Sequence, residues 1–344
     1  MNGSARAPHK SRTINAAEKV EDVMQNLIFY VSTVFIWGST WFAIKLQLGV
    51  VPPMVSVAYR FSLAALLLLG WCRLNRLNLR FSRIDHLFMA LQGALLFCLN
   101  YLLFYLAELH LTSGLAAVVF STIMLMNVVN GALFLATPIN RKVVIGGILG
   151  LAGIGLVFQP EIVSFTFDQN STRAILYCFL ATYMASLGNI LSARNQRHKL
   201  PIVQSNGFGM LYGALLMLFL ASITGQQFTL PLTLSYMGSL LYLSVFGTIV
   251  AFGCYLSLIG RIGADRAAYA TLLFPLVALA ISTVLEDYHW SIPAILGTIM
   301  ILAGNLLMLQ HRKKIATPQS PPAVSRNIQE EPTQTQHIIT RSKS

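Results

Sequence analysis

Acidic side chains are scarce in this chain: 12 Asp and Glu stand against 24 Lys and Arg in 344 residues, and charged residues of both signs make up only 10%. A soluble domain carries charge over roughly 25–35% of its surface positions, so a large water-exposed domain is excluded. Motifs for phosphate or metal chemistry are missing too. Neither a P-loop G-x-x-x-x-G-K-[ST] nor H-E-x-x-H occurs, which argues against ATP driving, an ATPase role and zinc proteolysis. An intramembrane enzyme would want a buried nucleophile beside a base, or a carboxylate pair, and neither is present. The four cysteines, Cys72, Cys98, Cys178 and Cys254, have no paired spacing suited to a disulfide or zinc site, and they read as packing residues. No metal or cofactor is expected.

What the chain has is apolar length. Hydrophobic residues make up 55% of it, and a bilayer core about 30 Å thick needs about 20 apolar residues per helix. Ten such stretches run Leu27 to Gln47, Pro53 to Trp71, Leu87 to Ala107, Ser113 to Leu135, Val143 to Phe158, Ala174 to Ala193, Ile202 to Ile223, Tyr236 to Leu258, Ala267 to Leu285 and Ile292 to Gln310. The expected fold is an all-α integral membrane protein of ten transmembrane helices. A polar N-terminal tail (1–26) and a C-terminal tail (311–344) flank them. The first apolar run is too long for a signal-peptide h-region and reads as a retained anchor. The second tail, rich in Pro, Gln, Thr and Ser, cannot bury enough apolar surface to fold alone.

The net charge of +12 could mean nucleic acid, but its placement gives a simpler account. With ten crossings, one face carries Arg6, Lys10, Arg12 and Lys19; Arg73, Arg76, Arg80 and Arg83; Arg141 and Lys142; Arg194, Arg197 and Lys199; Arg261 and Arg266; and the tail from Arg312. The opposite face has Glu108, Glu161, Asp168, Glu286 and Asp287, with Arg173 as its main base. This asymmetry predicts cytoplasmic termini and attraction to anionic lipid heads. Nucleic acid becomes unnecessary.

A shift of 151 residues lays one half on the other. Ala116 and Ala117 then meet Ala267 and Ala268, Gly146 meets Gly297, and Leu151, Ala152 and Gly153 meet Leu302, Ala303 and Gly304. Five helices per half is an odd number, so copies over 27–159 and 174–310 would lie in opposite orientations. Such inverted repeats place a substrate site at their interface and give alternating access by rocking of the halves.

The run Trp37-Gly38-Ser39-Thr40-Trp41-Phe42-Ala43-Ile44-Lys45, then Pro52-Pro53 and Tyr59-Arg60-Phe61, resembles the opening of EamA-type permeases of the drug/metabolite transporter superfamily. Ala267-Ala268, Pro275, Glu286, Gly297 and Gly304 resemble the closing pattern of the same family. The resemblance implies a ten-helix inverted-repeat carrier of small metabolites in the cell inner membrane. At the shift of 151, Pro275 and Glu286 fall on Met124 and Leu135, a departure from symmetry.

A charge within a span costs at least about 2.5–3.5 kcal/mol on insertion scales, so it is a functional candidate. Lys45 and Arg60 qualify, although a lysine near a helix end can also snorkel to the headgroups. A substrate carboxylate is their natural partner, and Arg can bind it bidentately. Trp37, Trp41 and Lys45 recur every fourth residue and share a helix face. Further polar side chains at depth are Asn100, Tyr101, Asn127, Asn130, Tyr183, Ser186, Asn189, Tyr255 and Tyr269. Their default use is to tie helices together, and their spread over both halves also fits an amphipathic cavity. Of the acids nearest the bundle, Glu108 and Glu286 at outer helix ends, Glu286 is the coupling candidate, because it matches the family pattern and could reach Lys45 or a periplasmic proton; a solvated glutamate beside Asp287 is the alternative, and His110 and His289 read as solvent-facing residues of outer links. The expected function is a secondary transporter exporting small amphipathic metabolites such as amino acids or derivatives. The alternatives are a metabolite importer, a drug efflux carrier, a lipid scramblase or an intramembrane enzyme.

Overall fold

The structure is a computed structural model that describes residues 16–47, 49–111, 113–165, 168–285 and 290–309. Both ends of the chain and Glu286 therefore lie outside the described residues, as do the side chains of Trp41, Lys45 and Glu108. Among the described residues every regular element is helical.

Helix α1 covers Ala16–Lys45, and α2 covers Pro53–Leu74 with its proline in the first turn, where the missing N–H has no intrahelical partner to lose. Helix α3 is composite: Arg83–Gln92 opens on a Ser82/Asp85 capping box, passes into a π-helical stretch Gly93–Leu99 and continues as Asn100–Glu108. Helix α4 comprises Ser113–Ser121 and Ile123–Leu135, α5 is Arg141–Val157, and α6 is the long Gln169–Arg197, started by an Asp168/Ser171 capping box. Helix α7 is Ile202–Ile223. Helix α8 repeats the pattern of α3, with Leu234–Ser244, a π-helical Val245–Val250 and Ala251–Ile262. The described residues close with α9, Ala264–Ala267 and Tyr269–Leu285, and α10, Ile292–Leu309.

Seven stretches among the described residues are long and apolar enough to cross a membrane, from Pro53–Leu74 to Ala264–Ile281, and Ile292–Met308 is a shorter apolar helix. Their outer faces expose Leu66, Leu133, Phe219 and Ile299. A soluble monomer rarely leaves apolar patches of that extent in water, so lipid is the solvent these faces suit. One boundary departs from the sequence reading. The polar segment before Leu27 is helical from Ala16, and it is tied down because Arg261 donates to Gln25 Oε1 at 2.7 Å and pairs with Asp22 at 3.5 Å.

The packing follows the numerical shift of 151. It carries α3, including its π-helical stretch, onto α8, and α5 onto α10. Helices α3 and α4 pack on α6, while α8 and α9 pack on α1; α2 lies along α7 and α5 along α10. Glycine permits the closest of these approaches. A Cβ on Gly146 would stand 2.8 Å from the Gly304 carbonyl oxygen, and one on Gly153 would stand 2.6 Å from that of Gly297. Adding 151 turns Gly146 into Gly297 and Gly153 into Gly304, so one contact becomes the other with the partners exchanged. Small residues at such crossings let backbones approach in a bilayer, where no hydrophobic force separates helix from lipid.

Candidate functional site

Arg60 organises the site. It lies two turns into α2 and is only 5% exposed, so its charge is removed from water. Its Nε–H donates to Thr248 Oγ1 at 2.7 Å and its Nη2 to the Gly247 carbonyl oxygen at 3.0 Å. Both acceptors belong to the π-helical stretch of α8, and both are neutral. The guanidinium carbon also sits 5.6 Å from the Phe61 ring centroid and 5.7 Å from that of Tyr101, in range of cation–π attraction. These contacts hold the cation in place without neutralising it.

Trp37 reaches the same anchor, because its indole Nε1–H donates to the Gly247 carbonyl oxygen at 3.1 Å. Its ring is enclosed by Phe252, Tyr255 and Phe274 at centroid distances of 4.9, 5.0 and 5.1 Å, with the Phe252 and Phe274 contacts edge-on. Edge-on contacts suit the ring quadrupoles and stabilise a pair by about 0.5–1.5 kcal/mol beyond area burial. A tryptophan fixed this way makes a stiff wall.

Between these groups lies a cavity of ≈ 190 Å³ whose lining includes Trp37, Arg60, Asn100, Tyr101, Asn189 and Tyr255. Thr40, Phe104, Phe120, Phe252, Phe274 and Pro275 complete most of an aromatic and apolar wall. No carboxylate occurs among the described lining residues. Asn100 accepts the Tyr101 backbone N–H at 2.7 Å through its Oδ1, which turns its amide N–H groups away from that bond. Asn189 donates to the Tyr255 hydroxyl at 3.2 Å and forms part of the far wall. The chemistry on offer is a fixed cation, hydrogen-bond donors and aromatic faces, suited to an anionic head on an apolar body.

The other residues expected at depth are distributed differently. Asn127 lies behind the wall, donating to the Ala264 carbonyl oxygen at 3.1 Å, and Asn130 donates to Ser186 Oγ at 2.9 Å. Tyr269 donates to the Val143 carbonyl oxygen at 2.6 Å and so ties α9 to α5 away from the cavity. Tyr183 does not join the interior with Ser186 and Asn189; it is 38% exposed on the outer face of α6, where its ring can meet lipid. In α1 the cavity is lined by Trp37, Thr40 and Ile44. The side chains of Trp41 and Lys45, and the whole of Glu286, are outside the described residues.

Further polar ties cluster toward the end of the bundle that carries the basic links. Gln92 Nε2 donates to Asn206 Oδ1 at 3.3 Å, and Asn195 Nδ2 donates to Gln92 Oε1 at 3.0 Å. Arg197 donates to the Leu135 carbonyl oxygen at 2.6 Å and to Thr137 at 3.1 Å. These bonds join α3, α4, α6 and α7 beyond the cavity floor. The sequence reading missed this cluster, and it missed Gly247, Thr248, Phe252 and Phe274 within the site. A buried Gln or Asn was a usable signal. A threonine or phenylalanine in an apolar run was not.

Comparison with known proteins identifies the family. The inner membrane transporter YedA of Escherichia coli is 29% identical over 250 residues, covering 72% of this chain and 78% of that protein. A probable amino-acid metabolite efflux pump of Escherichia coli is 26% identical over 298 residues, covering 82% and 95%. A solved crystal structure shares the fold, with a TM-score of 0.70 at 17% identity over 83% of this chain and 96% of that one. The EamA-like transporter family model matches twice, at residues 25–159 and 172–310. With most of its length matched and an apolar, helical, cavity-bearing bundle to show for it, the chain belongs to the EamA-like transporter family: a multi-pass membrane transporter of the drug/metabolite superfamily, not an enzyme.

Proposed function

We propose that this transporter exports small amphipathic carboxylates, amino acids or their derivatives, across the cell inner membrane. One observation carries the reading: a buried arginine, held among the described residues by neutral acceptors and aromatic rings, borders an aromatic cavity without a carboxylate among its described lining residues. An uncompensated buried cation is costly, and a ligand carboxylate would offset that cost while the aromatic wall receives the apolar part. Lipophilic cations would meet a like charge and are disfavoured. Export is favoured because relatives of comparable length are named as efflux pumps.

Transport would proceed by alternating access between two five-helix halves of opposite orientation, making ten crossings with both termini cytoplasmic. Support comes from the register of 151 residues, from the partner-exchanged glycine contacts, and from the two separate family matches. Contacts that exchange partners in this way are what a two-fold axis produces. The polar ties beyond the cavity floor would then be the contacts that keep the cytoplasmic side closed. Glu286 is proposed as an accessory coupling group, and Glu286→Gln is expected to reduce transport only modestly.

The test compares metabolites retained by cells with and without the protein. Accumulation of small carboxylates in cells lacking it supports the reading, and accumulation of lipophilic cations alone contradicts it. Tags at both termini should be inaccessible from outside intact cells, while a cysteine at Asn170 should label.

A further inference from the structure

We propose that Thr248 and Gly247 are positioning residues for the substrate-binding arginine, made available by the π-helical turn of α8. The inference rests on the reading of Arg60 as the carboxylate partner and goes beyond it by naming what aims the guanidinium. Thr248 Oγ1 donates its own proton to the Leu243 carbonyl oxygen five residues back, at 2.8 Å. A hydroxyl committed as donor in that direction presents its lone pairs elsewhere, and Arg60 Nε–H takes one of them at 2.7 Å. A stretch with i→i+5 bonding re-aims the groups around it, and here the Gly247 carbonyl oxygen accepts from both Arg60 Nη2 and Trp37 Nε1.

A side chain at position 247 would crowd its neighbours, because a Cβ there would stand 2.9 Å from Thr40 Cγ2 and 3.2 Å from Arg60 Nη2. Glycine therefore lets α1 and α2 converge on one carbonyl without displacing Thr40 or the guanidinium. The shared acceptor has a functional consequence, because the charged group and the aromatic wall are fixed to the same atom and must shift together. A substrate carboxylate that draws Arg60 toward the cavity would loosen the geometry around Gly247, and Trp37 would sense it. Thr248 does not line the cavity, so its contribution is to orient Arg60.

The experiment is counterflow uptake of radiolabelled L-phenylalanine and of phenylpyruvate by proteoliposomes of the full-length protein, comparing wild type, Thr248→Val, Thr248→Ser and Arg60→Ala. Thr248→Val keeps the shape and removes the acceptor, so the KM for either carboxylate should rise about tenfold, the scale of a lost hydrogen bond to a charged group. The maximal rate should change much less. Thr248→Ser should restore the wild-type KM, which a merely structural role would not require. Gly247→Ala should raise KM and also shift the fluorescence emission of Trp37 in a protein whose other tryptophans are replaced by phenylalanine. A wild-type KM in Thr248→Val alongside a lost one in Arg60→Ala would overturn the positioning role and leave the carboxylate reading standing. Wild-type activity in Arg60→Ala, or no saturable uptake of either probe by the wild type, would overturn both.

Discussion

The two π-helical stretches use one backbone device for different purposes. In α3, Gly93–Leu99 packs and lends the cavity an apolar side chain: Gly93 lies against the backbone of Gly209 and Gly213, Phe97 is fully buried against Phe61 and Phe252, and Leu96 lines the cavity. In α8, Val245–Val250 presents a carbonyl and a hydroxyl to Arg60 and Trp37. The shift of 151 pairs Leu96 with Gly247, Phe97 with Thr248, and Gly188 with Trp37. In one half a leucine packs on a glycine, since a Cβ on Gly188 would stand 2.7 Å from Leu96 Cβ. In the other half the large and small partners are exchanged, and the tryptophan becomes a cavity wall. The shift that superposes the two stretches therefore does not carry the polar contacts of α8 onto α3.

Arg60 should be the position least tolerant of change. Arg60→Ala removes the site's charge, and truncating one partner of a buried charged contact typically costs about 2–5 kcal/mol of binding. Uptake at low substrate concentration should therefore fall on the order of a hundredfold, with the amount of protein in the membrane unchanged on an immunoblot. Trp37→Ala should come next, with a strong loss of uptake and normal membrane levels. Trp37→Phe, which keeps a ring but loses the bond to Gly247, should cost only about 1 kcal/mol. On the packing side, Phe97→Leu should lower thermal stability in detergent by about 1 kcal/mol and leave the KM within about twofold of wild type. A changed KM with unchanged stability would mean that Phe97 serves the ligand and not the packing alone.

The smallest expected effect separates α6 from α1. Helix α6 opens on Asp168, which accepts the Ser171 backbone N–H at 2.7 Å, whereas the shift of 151 places Ala17 at the matching position of α1. Those bonds, from the Ser171 backbone and side chain, hold the Asp168 carboxyl below its ordinary range. A lowered carboxyl adds stability above its unfolded value of about 3.9 and loses it as pH falls through the lowered one. Amide-exchange protection at the start of α6 should therefore drop only under acid, and Asp168→Asn should remove that pH dependence.

Much of this was legible in the amino-acid sequence because a bilayer enforces a few harsh rules. Spans such as Pro53–Leu74 and Ile202–Ile223 stand out because nothing but a long apolar helix satisfies its backbone in lipid. Arg60 and Trp37 stand out because charge and a mid-span tryptophan are expensive or out of place there. Thr248 and Gly247 do not, because a π-helical turn leaves no mark on composition and a glycine fits a hundred uses. Phe252 and Phe274 are silent for a related reason: a phenylalanine facing a cavity reads the same as one facing a neighbour. Tyr183 shows the reverse error. A tyrosine tolerates the lipid side of a helix as well as the interior, and only the packing of α6 decides which.

If the Arg60 charge is the counter-ion of the substrate, removing it must remove the preference for a carboxylate. Competition tests this most directly, with L-phenylalanine and its carboxamide counterpart L-phenylalaninamide, which lacks the carboxylate and keeps the amine, compared as inhibitors of phenylpyruvate uptake by wild type and Arg60→Gln in proteoliposomes. Wild type should prefer the carboxylate by on the order of a hundredfold, and Arg60→Gln should lose the preference. A preference that survives the substitution would place the anion site elsewhere and rule out Arg60 as the counter-ion.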